Sequence, residues 1–291
     1  MKSRRRIIKP SFKISNIIDR LLIEVINYDE FLLLLEKASD TFFNNPELEF
    51  ELLISNGLPL EFDDNNNVFL KTTKYSIDEQ CFCIVDIETN GSSIKKGHQI
   101  IEIGAVKYKN GEIIDKFESL VYAKEIPSYI QEVTNIKPLM LEDAPILESV
   151  LKEFKLFLED DVFIAHDIKF DYNYISDSFE KYDLGKLENR KLCSIDLAKR
   201  TIDSPRYGLG FLKEELEIKV DNHHRAYYDA LATAYVFTES LKAIDKEKIT
   251  NVEKLISFSK SSKTIASIKE KKLKEEEKNK EVQKEKQKEV K

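Results

Sequence analysis

The sequence predicts an α/β fold, a mixed sheet with helices on both faces, over residues 77–243 of its 291. Three observations carry this reading. Strand-like runs follow one another at 81–88, 99–108 and 112–121. Shorter apolar runs near 162–165 and 192–193 then alternate with helical patterns. The first run is apolar on both faces from Phe82 to Val85, as a central strand buried on both sides would be.

Bulk properties limit the choices. Hydrophobic content of 42% can build a substantial core, and 34% charged residues imply solvated helices or a tail. The net charge of −7 excludes a bulk polyanion binder, so any contact with nucleic acid must be local. Three cysteines, Cys81, Cys83 and Cys193, read as reduced thiols. The basic start is not followed by an apolar leader segment, and the apolar run 31–35 is too short to span a bilayer. These features predict a soluble, cytoplasmic protein with no membrane partner.

Taken in order, residues 1–13 hold six basic residues and no acid, the pattern of a solvated arm. Residues 1–76 as a whole predict a helix-rich N-terminal region. Helical spacing covers 14–25, 29–38 and 46–55, the last with Pro46 in its first turn. Runs at 58–62 and 68–72 flank Asp63-Asp64-Asn65-Asn66-Asn67 as a hairpin. This order allows a winged-helix-like unit; a plain docking domain is the simpler reading. Residues 71–80 are polar and read as a linker.

Within the α/β region, Asn110-Gly111 is a two-residue hairpin turn joining the second and third strands. Helices are expected at 128–133, 143–158, 170–179, 195–201, 208–216 and 224–241. The last is rich in alanine, which lets it press close to a sheet. Residues 244–291 read as a Lys/Glu-rich tail, a solvated helix or a disordered one. From residue 261 onward there are 11 lysines and 7 glutamates.

The chemistry concentrates in acids. Asp86 and Glu88 share one face of a strand, roughly 7 Å apart along the chain, and Asn90-Gly91 ends that strand. Two carboxylates at the end of a buried strand need a cation between them, and a hard divalent metal fits. Alone the pair is a weak signal, because 53 acidic residues produce such pairs by chance. Two further sites match it. A short strand runs through His166 into a helix with Asp171 one turn in. His224 lies five residues before Asp229 at the start of the alanine-rich helix.

With these motifs in place, the chain resembles the DnaQ-like 3′–5′ exonucleases of the DEDDh type, most of all the epsilon proofreading subunit of bacterial DNA polymerase III. The segments are Asp86-Ile87-Glu88-Thr89-Asn90-Gly91, His166 through Asp171, and His224-Arg225-Ala226 through Asp229-Ala230, with Ile100 through Val106 as that family's second strand. The likeness covers about residues 78–243 and implies a ribonuclease H-like sheet. It implies that Asp86, Glu88, Asp171 and Asp229 are the metal ligands and that His224 is the general base. Two ions, Mg²⁺ or Mn²⁺, are implied, with Asp86 bridging them, Glu88 and Asp229 on one and Asp171 on the other. The sister branch carries Tyr four residues before the last acid, where this chain has Arg225. His223 has the wrong spacing for the base.

The chain departs from the family pattern at Asp167, where many relatives have Asn, at Asn90, where Thr is common, and at Thr134-Asn135-Ile136. For the 3′ end of a single-stranded or frayed DNA, Thr89, Phe170 and Tyr174 are the expected pocket residues, since bases stack on aromatic faces; core packing is the alternative for each aromatic. The resemblance implies proofreading beside a DNA polymerase III catalytic subunit. An exoribonuclease processing RNA 3′ ends is the alternative within the same chemistry. A non-catalytic polymerase subunit is the alternative outside it, against which the complete set of four acids and His224 speaks.

Overall fold

The computed structural model describes residues 12–220 and 224–267. The basic positions before Phe12, His223 and the tail from residue 268 lie outside the described residues.

The N-terminal unit runs α1 (Ile14–Leu21), β1 (Ile26–Asn27), α2 (Tyr28–Lys37), α3 (Pro46–Ser55), β2 (Leu60–Phe62), β3 (Asn67–Leu70) and α4 (Lys71–Lys74). Its strands form a small antiparallel sheet in the order β1-β3-β2. α1 is shorter than its apolar pattern suggests, because the chain turns into β1, a strand of two residues that pairs with Asn67 and Val68. Asn45 caps α3 by accepting the N–H of Leu48, with Pro46 in the first turn as expected. Ile17, Leu21, Phe31, Leu35, Phe50 and Val68 form the unit's own core.

The second unit continues β4 (Phe82–Thr89), β5 (Ile100–Lys109), β6 (Glu112–Leu120), α5 (Ser128–Thr134), α6 (Pro138–Leu141), α7 (Leu147–Leu158), β7 (Val162–Ala165), α8 (Ile168–Lys181), β8 (Lys191–Cys193), α9 (Ser194–Thr201), α10 (Leu209–Glu215), α11 (Ala226–Lys242) and α12 (Val252–Ser259). Among the described residues the sheet order is β6-β5-β4-β7-β8. β4, β5 and β6 are antiparallel, while β7 and β8 run parallel to β4. Asn110 and Gly111 both take positive φ, 51° and 85°, as the two-residue turn between right-twisted strands requires. α7 begins at Leu147 rather than at 143, because Pro145 disfavours helical geometry at Ala144.

β4 is the centre, and its alternation divides the core. Cys83, Val85 and Ile87 face α7 and α8, packing with Leu151, Phe154, Ile175 and Phe179. Phe82 and Ile84 face the opposite layer, packing with Leu197, Ala234 and Phe237. Ala226, Ala230 and Ala234 of α11 are buried against the sheet, as their small size allows.

Two stretches are more structured than their composition suggests. Residues 71–80 hold α4 and the buried Thr72 and Ile77. α12 lies inside the stretch read as tail, yet Val252, Leu255 and Ile256 are in the core. The two stretches meet. Thr72 donates to Glu253 at 2.7 Å, and Arg190 donates two hydrogen bonds to the same carboxylate at 2.6 and 2.8 Å. Lys71 pairs with Asp160 at 2.6 Å. Asp160 and Arg190 precede β7 and β8, so the N-terminal unit docks at the start of the parallel strands. No helix among the described residues is long and apolar enough to cross a membrane.

Candidate active site

The acids gather at the other end of the sheet, where β4 finishes. Asp86 and Glu88 continue the even-numbered face of β4 that looks toward α11, and both are half-buried. The pairing of β7 with β4 ends at Ile84↔Ile164. Beyond that point β4 has an open edge, and the first turn of α8 fills it. Asp171, 4% exposed, accepts the N–H of Ile87 at 3.2 Å, replacing the missing strand partner. The turn that aims α8 is tight. Asp167 sits in left-handed conformation, φ 77°, which Asp and Asn tolerate better than most residues. His166 is spent on structure: one ring nitrogen donates to the carbonyl of Tyr207 and the other accepts from the Ser194 hydroxyl, both at 2.8 Å. Burial lowers its pKa, consistent with a neutral ring.

α11 supplies the last components. Asp229 is in its first turn and 8% exposed. The backbone N–H of His224 donates to Asp229 Oδ2 at 3.2 Å, which holds His224 against the helix start. Carboxylate and imidazole ligand atoms of Glu88, His224 and Asp229 all lie within 4.8 Å of one another. The helix can come this close because β5 carries Gly104 opposite Asp86.

Burial and mutual repulsion dominate the electrostatics. Asp86 is pushed well above the usual carboxylate range by burial first, then by Asp171, Glu88, Asp229 and Glu102. Glu88 is raised to about 8, again by burial first, then by Glu102, Asp229 and Asp171, with Arg225 opposing. Asp171 rises to about 7 through burial, against the bonds from backbone N–H groups that hold its charged form. Hard oxygen donors that repel one another until a cation arrives fit Mg²⁺ or Mn²⁺ by their chemistry. An imidazole within the same cluster suits proton transfer.

The structure clusters the ligand atoms of Glu88, Asp229 and His224, with Asp86 on the Glu88 face of β4 and Asp171 hydrogen-bonded to the Ile87 N–H between them. The expected pocket residues divide. Phe170 is 43% exposed and presents a face to solvent beside the site. Thr89 ends β4 and is buried at 9% exposure, which leaves its backbone for contact. Tyr174 does not offer a stacking face: it is 5% exposed, packs in the core, and its hydroxyl donates to the Gly91 carbonyl at 3.1 Å. It holds the turn after β4 instead. Asn90 holds the same turn, accepting the N–H of Gln99 at 2.7 Å and donating to the Glu125 carbonyl at 3.3 Å.

Sequence reasoning passed over Glu102, Gly104 and Arg225. Glu102 is fully buried in the apolar strand β5 and takes two hydrogen bonds from Arg225, at 2.9 and 2.7 Å. The signal was present, since a charge inside Ile100-Ile101-Glu102-Ile103 needs a partner.

Comparison with known proteins agrees with this fold. The RNase T family model, described as an exonuclease, matches residues 83–237. The PolC-type DNA polymerase III of Staphylococcus haemolyticus is 36% identical over 203 residues, covering 69% of this chain and 13% of the polymerase. The Staphylococcus aureus enzyme of the same name gives the same identity and shares. The chain thus spans a small fraction of the length of these relatives. In fold, Escherichia coli exonuclease I in complex with a dA16 oligonucleotide aligns at a TM-score of 0.51 and 14% identity, over 57% of this chain and 41% of that one. The nuclease domain of 3′hExo, a DEDDh family member bound to rAMP, aligns at 0.50 and 16%, over 58% and 94%. On the family match over residues 83–237, the chain belongs to the RNase T exonuclease family.

Proposed function

We propose that this chain removes nucleotides from DNA 3′ ends by metal-dependent hydrolysis, in the proofreading of replication. The observation that carries the proposal is the approach of Glu88, Asp229 and His224 ligand atoms to within 4.8 Å of one another, at the strand end where Asp86 and Asp171 also lie. DNA as substrate and replication as context are supported by 36% identity to PolC-type polymerases across the domain.

Two divalent ions, when bound, would polarise a water and neutralise charge building on the phosphate. Asp86, raised by each of the other three acids, would be the residue shared between the two ions. Glu88 and Asp229 would hold the ion on the His224 side, and Asp171 the other. A ring nitrogen of His224 takes the proton from the attacking water, and the exposed position of this residue lets the proton pass on to solvent. Thr89 and Phe170 orient the terminal nucleotide. For the N-terminal unit we propose docking rather than chemistry, since it sits at the opposite end of the sheet.

His224→Ala is expected to slow hydrolysis about 10²–10⁴-fold while Mn²⁺ binding persists. Calorimetric titration beside a degradation assay checks both parts, and an unchanged rate would remove the base role.

The acids also set a pH signature. The folded pKa values of Asp86, Glu88 and Asp171 lie above those of the unfolded chain, so without metal the folded state holds more protons. Between the ordinary carboxylate range and about 8, the metal-free protein is expected to lose stability as pH rises. Metal displaces those protons, so the stabilisation by Mn²⁺ grows over the same window. Thermal melts from pH 5 to 9, in EDTA and in Mn²⁺, measure this; parallel curves would refute it.

The test of function is one degradation assay on 3′ ends of DNA and RNA, matched, mismatched and single-stranded, with and without Mg²⁺. Faster removal of mismatched DNA ends supports proofreading. Preference for RNA transfers the same chemistry to RNA processing. No metal-dependent degradation of any substrate rejects the proposal.

A further inference from the structure

We propose that Arg225 and Glu102 are positioning residues for hydrolysis: their buried pair fixes the first turn of α11 so that His224 and Asp229 meet the carboxylates of β4. This rests on the nuclease reading of the site given above.

α11 begins without a cap of its own kind. Arg225 occupies the cap position in extended geometry, φ −129° and ψ 121°, and makes no side-chain cap bond. The cap comes from β5. Glu102 Oε2 accepts the N–H of Ala226 at 3.0 Å, one of the helix-start donors left without an intrahelical partner. Glu102 Oε1 accepts from Nε and Nη2 of Arg225, at 2.9 and 2.7 Å. One carboxylate, completely buried, thereby fixes both the first peptide of the helix and the side chain just before it. The guanidinium is a quarter exposed, and Glu118 of β6 lies 4.0 Å from it as a weaker second contact.

The location gives this clamp its consequence. Glu102 is the cross-strand partner of Glu88, whose ligand atom clusters with those of His224 and Asp229. His224 is the residue before Arg225, and Asp229 lies one turn after it. Any sliding or rotation of the helix start therefore moves both groups relative to Glu88. Apolar packing alone would press α11 onto the sheet without fixing its rotation. Charge-assisted hydrogen bonds to one carboxylate do fix it, and the planar guanidinium suits two donors to one acceptor better than an ammonium does.

The test uses the full chain and four variants: Arg225→Lys, Arg225→Gln, Glu102→Gln, and Arg225→Gln with Glu102→Gln together. Four quantities are read: kcat and KM on a single-stranded DNA oligomer, Mn²⁺ affinity by calorimetry without DNA, and Tm in EDTA. Arg225→Gln is expected to lower kcat about 10²-fold, to weaken Mn²⁺ binding about 10-fold, and to leave KM largely unchanged. Arg225→Lys falls between it and the wild type. The double variant leaves no unpaired buried charge, so it recovers Tm toward wild type but recovers neither kcat nor Mn²⁺ affinity. Wild-type kcat and Mn²⁺ affinity in Arg225→Gln, or recovery of both in the double variant, would overturn the proposal. An inactive wild type would instead reject the nuclease reading, and the Mn²⁺ titrations would still judge the clamp.

Discussion

Asp86→Asn is expected to abolish hydrolysis, by more than about 10³-fold, without unfolding the protein. The carboxyl shares its strand face with Glu88 and is raised by burial first, then by Asp171, Glu88 and Asp229. Its burial and those neighbours hold it protonated above the ordinary range, so the uncharged amide is close in shape and charge to its metal-free state. The metal-free Tm of the variant should therefore match wild type near about pH 4, where unfolded carboxyls are also protonated, and exceed it increasingly as pH rises, because the wild-type carboxyl ionises freely only in the unfolded chain. Activity and stability move in opposite directions, as expected of a residue retained for function. Mn²⁺ should no longer raise the Tm appreciably. A variant that degrades DNA at the wild-type rate would sink the metal assignment. A collapsed Tm at pH 6 would show that Asp86 holds the fold.

How much of this was legible in the sequence depends on the range of each interaction. Asp86 and Glu88 could be placed on one face because strand alternation is local. The Asn110-Gly111 turn and the cap and proline that open α3 are local for the same reason. That Asp171 meets them depends on β7 ending its pairing at Ile164, leaving the Ile87 N–H for a side chain to satisfy. No spacing encodes that; the family resemblance supplied it. Tyr174 shows the limit for aromatics, because one turn after Phe170 on the same helix it points into the core while Phe170 faces solvent. α12 was hidden by its surroundings: three buried apolar residues in eight are diluted by the Lys/Glu-rich sequence that follows. Glu102 was read only as part of a β-branched run, although its charge was the anomaly. Its partner Arg225 is 123 residues away in the chain, a distance at which pattern reading has nothing to say.

The second large effect is expected from the smallest change, Gly104→Ala. Gly104 lies opposite Asp86 on β5, beneath the start of α11. A Cβ there would stand 2.0 Å from the backbone N of Tyr227, 2.2 Å from the carbonyl carbon of Ala226 and 2.4 Å from the Tyr227 Cα. These are main-chain atoms of a helix turn, so no rotamer change relieves the contact and α11 itself must retreat by ~1 Å or more. Overpacking of this kind costs about 1–3 kcal/mol. The retreat also pulls the Ala226 N–H and Arg225 from Glu102, and a buried carboxylate losing its partner costs about 3–5 kcal/mol more. Against a typical total of about 5–15 kcal/mol, the Tm should fall steeply. Molecules that remain folded carry His224 and Asp229 displaced from Glu88, and a misplacement of ~1 Å lowers the rate about 10²-fold. Thermal unfolding in EDTA, with activity measured well below the lowered Tm, separates the two losses. Wild-type Tm together with wild-type rate would mean that α11 does not rest on β5 as described, and the account of how Asp229 reaches the site would fail with it.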